Sequence, residues 1–161
     1  MRPYKFADRY NSLFENDNNV WIGWYPTPDA VKDLTNLGIT LYINLVTVNE
    51  IQRMGSYAHL VRGDIIHFPI TDQTIPPNDA AFKNLVNFVV NQVKAKRKIL
   101  IHCMGGHGRS GTLAACMLKS MGYSTDNALA QVRKMHLKRS FLATFPTPST
   151  DQQVEYVKRF E

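Results

Sequence analysis

A glycine-rich loop between a predicted strand and a predicted helix constrains this chain more than any other feature. The short apolar run at residues 98–101 predicts a buried strand, and residues 113–118 predict a helix. Between them, Gly105, Gly106 and Gly108 let the backbone turn so that successive N–H groups point inward. Because the helix dipole directs positive charge to the same point, this segment predicts a binding site for an anion.

Two side chains that suit phosphate chemistry flank the loop. Cys103 lies at its start, and Arg109 and Ser110 lie at its end. A thiolate is a strong nucleophile, and the planar guanidinium of an arginine can hold two oxygens of a phosphate-like group. The alternative is a buried cysteine beside a structural turn, which leaves the glycines and Arg109 unexplained.

The segment from His102 to Gly111 resembles the Cys-x5-Arg loop of protein tyrosine and dual-specificity phosphatases. The similarity covers most of the chain, and it is greatest to the kinase-associated phosphatase and the small atypical dual-specificity phosphatases. The resemblance implies an α/β fold in which helices flank a central, mostly parallel, twisted sheet of about four to five strands. It implies one catalytic domain over residues 1–161, and the reaction that it implies requires no metal and no cofactor.

The resemblance also implies roles for individual residues. Cys103 would be the nucleophile, and Ser110 would donate a hydrogen bond that helps the sulfur leave. His102 would fix the backbone of the loop through a hydrogen bond. The residues implied to bind the phosphate are Met104, Gly105, Gly106, His107, Gly108 and Arg109.

Asp72 is the predicted general acid. It lies in the loop Ile70–Pro77, which follows the predicted strand Asp64–Phe68. Taken alone, Asp72 would be interpreted as a turn former, as most loop aspartates are. In the family a Phe-Pro-x-x-Asp loop followed by a proline supplies the general acid, and Asp72 matches that position.

The remaining secondary structure is predicted from apolar spacing and from helix caps. Thr27 and Asn78 are predicted to cap helices, and Thr150 with Gln153 predicts a capping box. Residues 39–46 are predicted to form a central strand, residues 20–23 an edge strand and residues 1–19 an irregular arm. Cys116 is expected to lie in the core.

Composition restricts the class of partner. The chain carries a formal charge of +6 and a pI near 9.4, which favours an acidic partner such as a phosphoprotein, a phosphoinositide or RNA. One basic cluster, residues 94–98, is predicted to be a solvated helix end. For the other, residues 133–139, a solvated helix end and contact with an acidic partner remain equal alternatives.

No apolar run is long enough to span a membrane, and a catalytic thiolate needs a reducing compartment. We therefore expect a cytoplasmic protein, with the nucleus as the alternative compartment.

Three features leave substrate specificity open. The segment 137–148 replaces an Arg-Pro-Gly sequence of many relatives by a longer loop. Ser149 occupies the position of a water-positioning glutamine in tyrosine-specific relatives. His107 is expected to be a solvent-facing residue at a variable position of the loop.

The predicted function is hydrolysis of phosphotyrosine, together with phosphoserine and phosphothreonine, in a protein or peptide substrate. The alternatives within the fold are an RNA 5′-triphosphatase and a phosphoinositide phosphatase, with nucleic acid the less favoured partner. The non-enzyme alternative is a phosphate-binding pseudophosphatase, which would be expected to lack Cys103, Arg109 or Asp72; all three are present.

Overall fold

A five-stranded sheet lies at the centre of the fold in the computed structural model, which describes residues 3–139 and 146–161. The sheet order is β1-β2-β5-β3-β4; β1 is antiparallel to β2, and the other neighbours are parallel. This is the α/β, mostly parallel architecture that the sequence predicts. The strands are β1 (Tyr10–Ser12), β2 (Val20–Gly23), β3 (Leu41–Asn44), β4 (Asp64–His67) and β5 (Ile99–His102).

The position of β5 determines where the glycine-rich loop begins. All residues of β3 and β5 are buried, as expected for interior strands of a parallel sheet that is covered on both faces. His102, the last residue of β5, is in register with Gly23 of β2 and Asn44 of β3. The loop at Cys103 therefore starts at the carboxyl edge of the sheet, between two neighbouring strands, where ligands bind in open parallel sheets.

Helices flank the sheet, and one of them lies at the centre of the helical packing. Residues 109–118 of this helix, α5, are all buried, and α5 packs against α4, α6 and α7. Cys116 lies within this buried segment, as predicted. The helices are α1 (Phe6–Arg9), α2 (Pro28–Asn36), α3 (Val48–Met54), α4 (Asp79–Lys94), α5 (Arg109–Ser120), α6 (Thr125–His136) and α7 (Asp151–Arg159).

The predicted helix caps are confirmed. The side chains of Thr27 and Asn78 accept hydrogen bonds from the backbone N–H groups of Ala30 and Ala81. Thr150 and Gln153 form both halves of a capping box at α7. None of the helices in the two described segments is long and apolar enough to cross a membrane.

Two predictions about the first part of the chain are wrong. Residues 1–19 are not an irregular arm throughout, because α1 and β1 form within them. The β1 strand pairs with β2, so β2 is an interior strand and not an edge strand. Tyr10 and Leu13 are buried and stabilise this region, but three residues of strand are too few to give a recognisable sequence period.

Candidate active site

Cys103 lies where β5 meets the glycine-rich loop, and its side chain is buried. Its sulfur accepts a hydrogen bond from the Gly106 N–H at 3.3 Å, and the Ser110 hydroxyl lies 3.4 Å away. Because Ser110 is in the first turn of α5, the sulfur also faces the positive end of that helix. One of the inward N–H groups that the glycines predict, that of Gly106, is therefore present at the sulfur.

These contacts favour the thiolate form of Cys103. Burial alone would raise the pKa of the thiol, because it penalises the charged form. The charge of Arg109 and the hydrogen bonds from Ser110 and Gly106 outweigh that penalty, so the pKa of Cys103 is lowered below its ordinary value. A lowered pKa raises the fraction of nucleophilic thiolate at neutral pH.

Arg109 is held by groups from two other segments. Glu50 of α3 forms a two-pronged ion pair with it, with Nη1–Oε1 at 2.7 Å and Nη2–Oε2 at 3.0 Å. Arg109 Nη1 also donates to the carbonyl of Ile70, at 2.9 Å. The guanidinium is 1% exposed, so these partners fix its plane beside Cys103. Its remaining nitrogen, Nε, is buried and has no hydrogen-bond partner among the described residues.

Asp72 lies beside Arg109 but remains open to solvent. Its Oδ1 is 3.2 Å from Arg109 Nη2, and its side chain is 65% exposed. The bond from Arg109 to Ile70 holds the start of this loop, and Gln153 Nε2 donates to the carbonyl of Thr74 near its end. Both contacts hold the Asp72 loop close to the glycine-rich loop.

His102 contacts the backbone as the resemblance implies. Its Nδ1 lies 3.1 Å from the carbonyl oxygen of Cys103, and its Nε2 lies 2.5 Å from the hydroxyl of Tyr57. A neutral ring that donates from Nδ1 and accepts at Nε2 satisfies both contacts. Burial lowers the pKa of His102 to about 3, which keeps the ring neutral at physiological pH.

His107 is not the solvent-facing residue that the sequence suggests. Its Nδ1 lies 3.1 Å from Nε2 of His136 at the end of α6, and the Thr147 hydroxyl donates to its backbone carbonyl. Burial, together with His136 and Arg139, lowers the pKa of His107 to about 4. His107 is therefore a half-buried, neutral part of the loop at physiological pH.

Arg139 belongs to the basic cluster that the sequence predicts to face either solvent or an acidic partner, but its own side chain faces the interior of the protein. It is fully buried beneath the glycine-rich loop and donates to the carbonyls of Gly105, Gly106 and Ile22. Its Nε donates to the side chain of Asn11 at 2.7 Å. Burial lowers the pKa of Arg139 to about 10.

A cavity of about 390 Å³ opens above the sulfur. It brings Asp72 and Cys103 together with much of the predicted phosphate-binding loop, and Ser149 also lies on its wall. Residues 140–145 of the unusual loop 137–148, including Phe141 and Phe145, lie outside the described residues. The described residues that line the cavity are Asp72, Gln73, Cys103, Met104, Gly105, His107, Gly108, Pro146 and Ser149.

Gln153 connects three parts of the site. Its Oε1 accepts from the N–H groups of Ser149 and Thr150, and its Nε2 donates to Thr74. A side chain at Gly108 would collide with it, since an added Cβ would lie 2.9 Å from the Gln153 amide. The predicted capping role of Gln153 is present, and the contact with the Asp72 loop is additional to it.

Three contributors to the site escape sequence analysis. Glu50 completes a capping box with Thr47, which the Thr-x-x-Glu spacing could have indicated. No local signal pairs Glu50 with Arg109, 59 residues away. Neither Tyr57 nor Arg139 stands in a pattern that predicts its contact with the active-site loop.

Comparison with known proteins identifies the family. The family model described as "Swiss Army Knife protein, DSP-PTPase phosphatase domain" matches residues 25–154. The chain is 34% identical, over 125 residues, to the "Putative tyrosine phosphatase 197R" of Invertebrate iridescent virus 6. That match covers 75% of this chain and 47% of the viral protein, so the chain spans about half the length of that relative.

Solved structures share the fold over nearly the whole chain. The crystal structure of Tk-PTP in its active form has a TM-score of 0.77 and 26% identity, and the match covers 95% of this chain and 96% of that one. The kinase-associated phosphatase has the same TM-score, at 23% identity and with 94% and 92% coverage, which is evidence for the fold alone. With the match of residues 25–154, these likenesses bear out the predicted resemblance: the chain belongs to the tyrosine and dual-specificity phosphatase family, in its Swiss Army Knife group.

Proposed function

We propose that this chain hydrolyses phosphate monoesters on proteins through a cysteinyl-phosphate intermediate at Cys103. The main observation in support of the proposal is that the Cys103 sulfur and the Arg109 guanidinium lie side by side. A buried sulfur with a lowered pKa lies beside a buried guanidinium whose Nε has no hydrogen-bond partner among the described residues. An unpaired buried donor costs free energy, and a phosphate oxygen placed there would satisfy it.

In the proposed first step, the Cys103 thiolate attacks phosphorus in line with the leaving oxygen. Arg109 and the inward N–H groups of the loop hold the three equatorial oxygens, whose negative charge they offset. Asp72, 3.2 Å from Arg109, is open to the cavity and donates its proton to the departing oxygen. The sulfur–phosphorus bond forms as the phosphorus–oxygen bond of the ester breaks.

In the proposed second step, water hydrolyses the intermediate. Asp72 is now a carboxylate and takes a proton from the attacking water, while the sulfur–phosphorus bond breaks. Ser110 lies 3.4 Å from the sulfur and donates a hydrogen bond that stabilises the departing thiolate. Inorganic phosphate leaves, and the thiolate and the protonated acid are restored. His102 keeps the backbone conformation of the loop fixed during both steps through its hydrogen bond to the Cys103 carbonyl.

Phosphotyrosine, phosphoserine and phosphothreonine in proteins are the proposed substrates. The segment Arg9-Tyr10-Asn11 faintly resembles the loop that holds the substrate ring in tyrosine-specific relatives, and Arg9 is its only charged residue. It packs instead over the rings of Tyr4 and Trp24, 5.3 and 4.4 Å from their centroids, so it anchors the N-terminal segment. Nothing in these contacts supports a deep pocket reserved for tyrosine.

A single substrate panel tests the proposal. It contains phosphotyrosine and phosphothreonine peptides, a phosphoinositide set and RNA with a 5′-triphosphate, each assayed in EDTA with Cys103→Ser as the control. We expect both peptides to be hydrolysed by the parent chain and neither by the variant. Turnover of the lipids or the RNA alone would assign one of the two other reactions that the fold supports. Binding without turnover of any substrate would assign a phosphate-binding pseudophosphatase.

A further inference from the structure

Arg139 is a buried cation in an unusual position. Its side chain is 0% exposed, and no ion pair joins it to a carboxylate within residues 3–139 and 146–161. Its hydrogen bonds go to neutral oxygens, two of which are carbonyls of the glycine-rich loop. Burying a charge costs free energy, so a buried arginine in this place indicates a role other than packing.

One peptide unit joins Arg139 to the active-site sulfur. The Gly105 carbonyl and the Gly106 N–H belong to the same trans peptide, so they point in opposite directions. The carbonyl accepts a hydrogen bond from Arg139 Nη1 at 3.0 Å, and the N–H donates to Cys103 Sγ at 3.3 Å. A rotation of this peptide would turn a carbonyl, instead of a donor, towards the thiolate.

Glycine makes that rotation accessible, which is why a restraint is needed. Gly106 has a φ of 71°, in the left-handed region, and it follows another glycine, so side chains impose little barrier to reorientation here. Arg139 also binds the Gly106 carbonyl at 3.1 Å, which fixes the next peptide in the loop. A hydrogen bond to a carbonyl also polarises the N–H of the same peptide and makes it a stronger donor.

We propose that Arg139 is a positioning residue that locks the Gly105–Gly106 peptide with its N–H facing the Cys103 sulfur and a bound phosphate. The inference rests on the proposed function of Cys103, which it deepens. Asn11 of β1 extends the lock, because its Oδ1 accepts from Arg139 Nε while its Nδ2 donates to the Ala7 carbonyl. The N-terminal segment thereby supports the active site, although none of its described residues lines the cavity.

The test measures the thiolate directly. Alkylation of Cys103 by iodoacetamide is followed against pH, with the modified peptide quantified by mass spectrometry. We expect Arg139→Met to raise the apparent pKa of Cys103 by about one pH unit and to lower kcat/KM by roughly 10²-fold. Lys138→Met is the matched control. Lys138 is an exposed neighbouring cation that contacts the Ser12 carbonyl of β1 at 3.5 Å, and within the described residues it makes no hydrogen bond to the glycine-rich loop. We expect it to leave both values unchanged.

Arg139→Lys separates the lock from simple charge. Lysine keeps the positive charge, but its single nitrogen cannot replace the guanidinium nitrogens that also bind Asn11 and Ile22. Its ammonium is therefore less firmly positioned under the loop, and we expect the pKa of Cys103 to rise in this variant as well. A wild-type alkylation profile in Arg139→Lys would overturn the lock, as would an unchanged profile in a folded Arg139→Met. Unfolding of both variants by circular dichroism would assign Arg139 to stability and also overturn it. If the parent chain hydrolyses no phosphate ester, the proposed function fails, yet the alkylation data still decide the lock.

Discussion

Glu50 and Arg109 form a two-pronged ion pair across 59 residues of sequence, with nitrogen–oxygen distances of 2.7 and 3.0 Å. The pair occupies the two terminal nitrogens of the guanidinium. Nε, which has no hydrogen-bond partner in the described parts of the chain, lies on another side of the same plane. Because the guanidinium is planar and rigid, fixing one side of it also fixes the direction of the others. Glu50 therefore orients the donors with which Arg109 would meet a phosphate.

The first prediction is that Glu50→Gln lowers kcat/KM by up to roughly 10²-fold, the cost expected for a misplaced positioning group. The amide keeps the size of the carboxylate but can accept only one of the two hydrogen bonds, so Arg109 loses its fixed plane. Steady-state kinetics with a phosphopeptide checks this result. Glu155→Gln, which alters an exposed ion pair with Lys158, is the control and should be silent. Equal rates in the parent and Glu50→Gln would refute the orienting role.

The second prediction concerns acid stability and uses the same carboxylate. Burial alone would raise the pKa of Glu50, but hydrogen bonds from Arg109 and Thr47 outweigh it and lower the pKa from 4.5 to about 2. The folded state therefore binds fewer protons than the unfolded state in that interval. The stability contributed by Glu50 is complete above about pH 4.5 and is lost as the pH falls towards 2.

Urea denaturation of the parent and of Glu50→Gln, measured from neutral pH to about pH 2, checks this prediction. The free energy of unfolding of the parent should fall more steeply below pH 4.5 than that of the variant, which lacks the titrating group. Other carboxylates titrate in both proteins, so the difference between the two curves isolates Glu50. Parallel curves would contradict the pKa of about 2.

The third prediction distinguishes a proton donor from an aspartate that only shapes its loop. Asp72→Asn keeps the size of the side chain and removes its acidity, and loss of a general acid typically costs about 10²- to 10⁴-fold. The loss should grow from a nitrophenyl phosphate to phosphotyrosine to phosphothreonine, because the leaving oxygen needs its proton more at each step. Rates under single-turnover conditions check the series. An equal loss for all three substrates would exclude Asp72 as the acid.

The fourth prediction is that Gln153 holds the Asp72 loop in place for proton transfer. In Gln153→Glu, one oxygen still accepts from the backbone N–H groups of Ser149 and Thr150, while the other replaces Nε2 and repels the Thr74 carbonyl. We expect the rate of phosphothreonine cleavage to fall more than that of nitrophenyl phosphate. The ratio of the two rates, measured at one pH, reports this change.

Thr150→Ala is the control for Gln153. It removes the other half of the capping box and leaves the Gln153 bond to Thr74 intact. It should cost about 1 kcal/mol of stability without altering the ratio of the two rates. If both variants change the ratio equally, Gln153 acts only by stabilising α7.

The sequence predicts the parts of this protein that depend on short-range patterns. Cys103, Arg109 and the glycines lie within one loop or at its end, so their spacing alone indicates an anion site. In the folded chain this loop follows the carboxyl end of β5. Asp72 is a general-acid candidate only by resemblance, because a lone loop aspartate has no distinguishing local pattern.

The groups that orient the loop escape prediction because they are distant in sequence. Arg139 reaches Gly105 across 34 residues and Asn11 across 128, and its basic neighbours make it look like part of a solvated helix end. The β1 strand escapes for a related reason, since three residues show no period and its pairing depends on β2. Contacts of this kind follow from the topology and not from local propensity.

The most direct test of the central claim is to trap the intermediate on Cys103. Asp72→Asn should slow hydrolysis of the cysteinyl-phosphate more than its formation when the substrate has a good leaving group, so the intermediate accumulates. The variant is mixed with a radiolabelled activated aryl phosphate, quenched within the first turnover and mapped by peptide mass spectrometry. The account predicts one phosphoryl group on Cys103 and none in a Cys103→Ser chain. Full turnover with no phosphorylated cysteine, or a label on another residue, would contradict it.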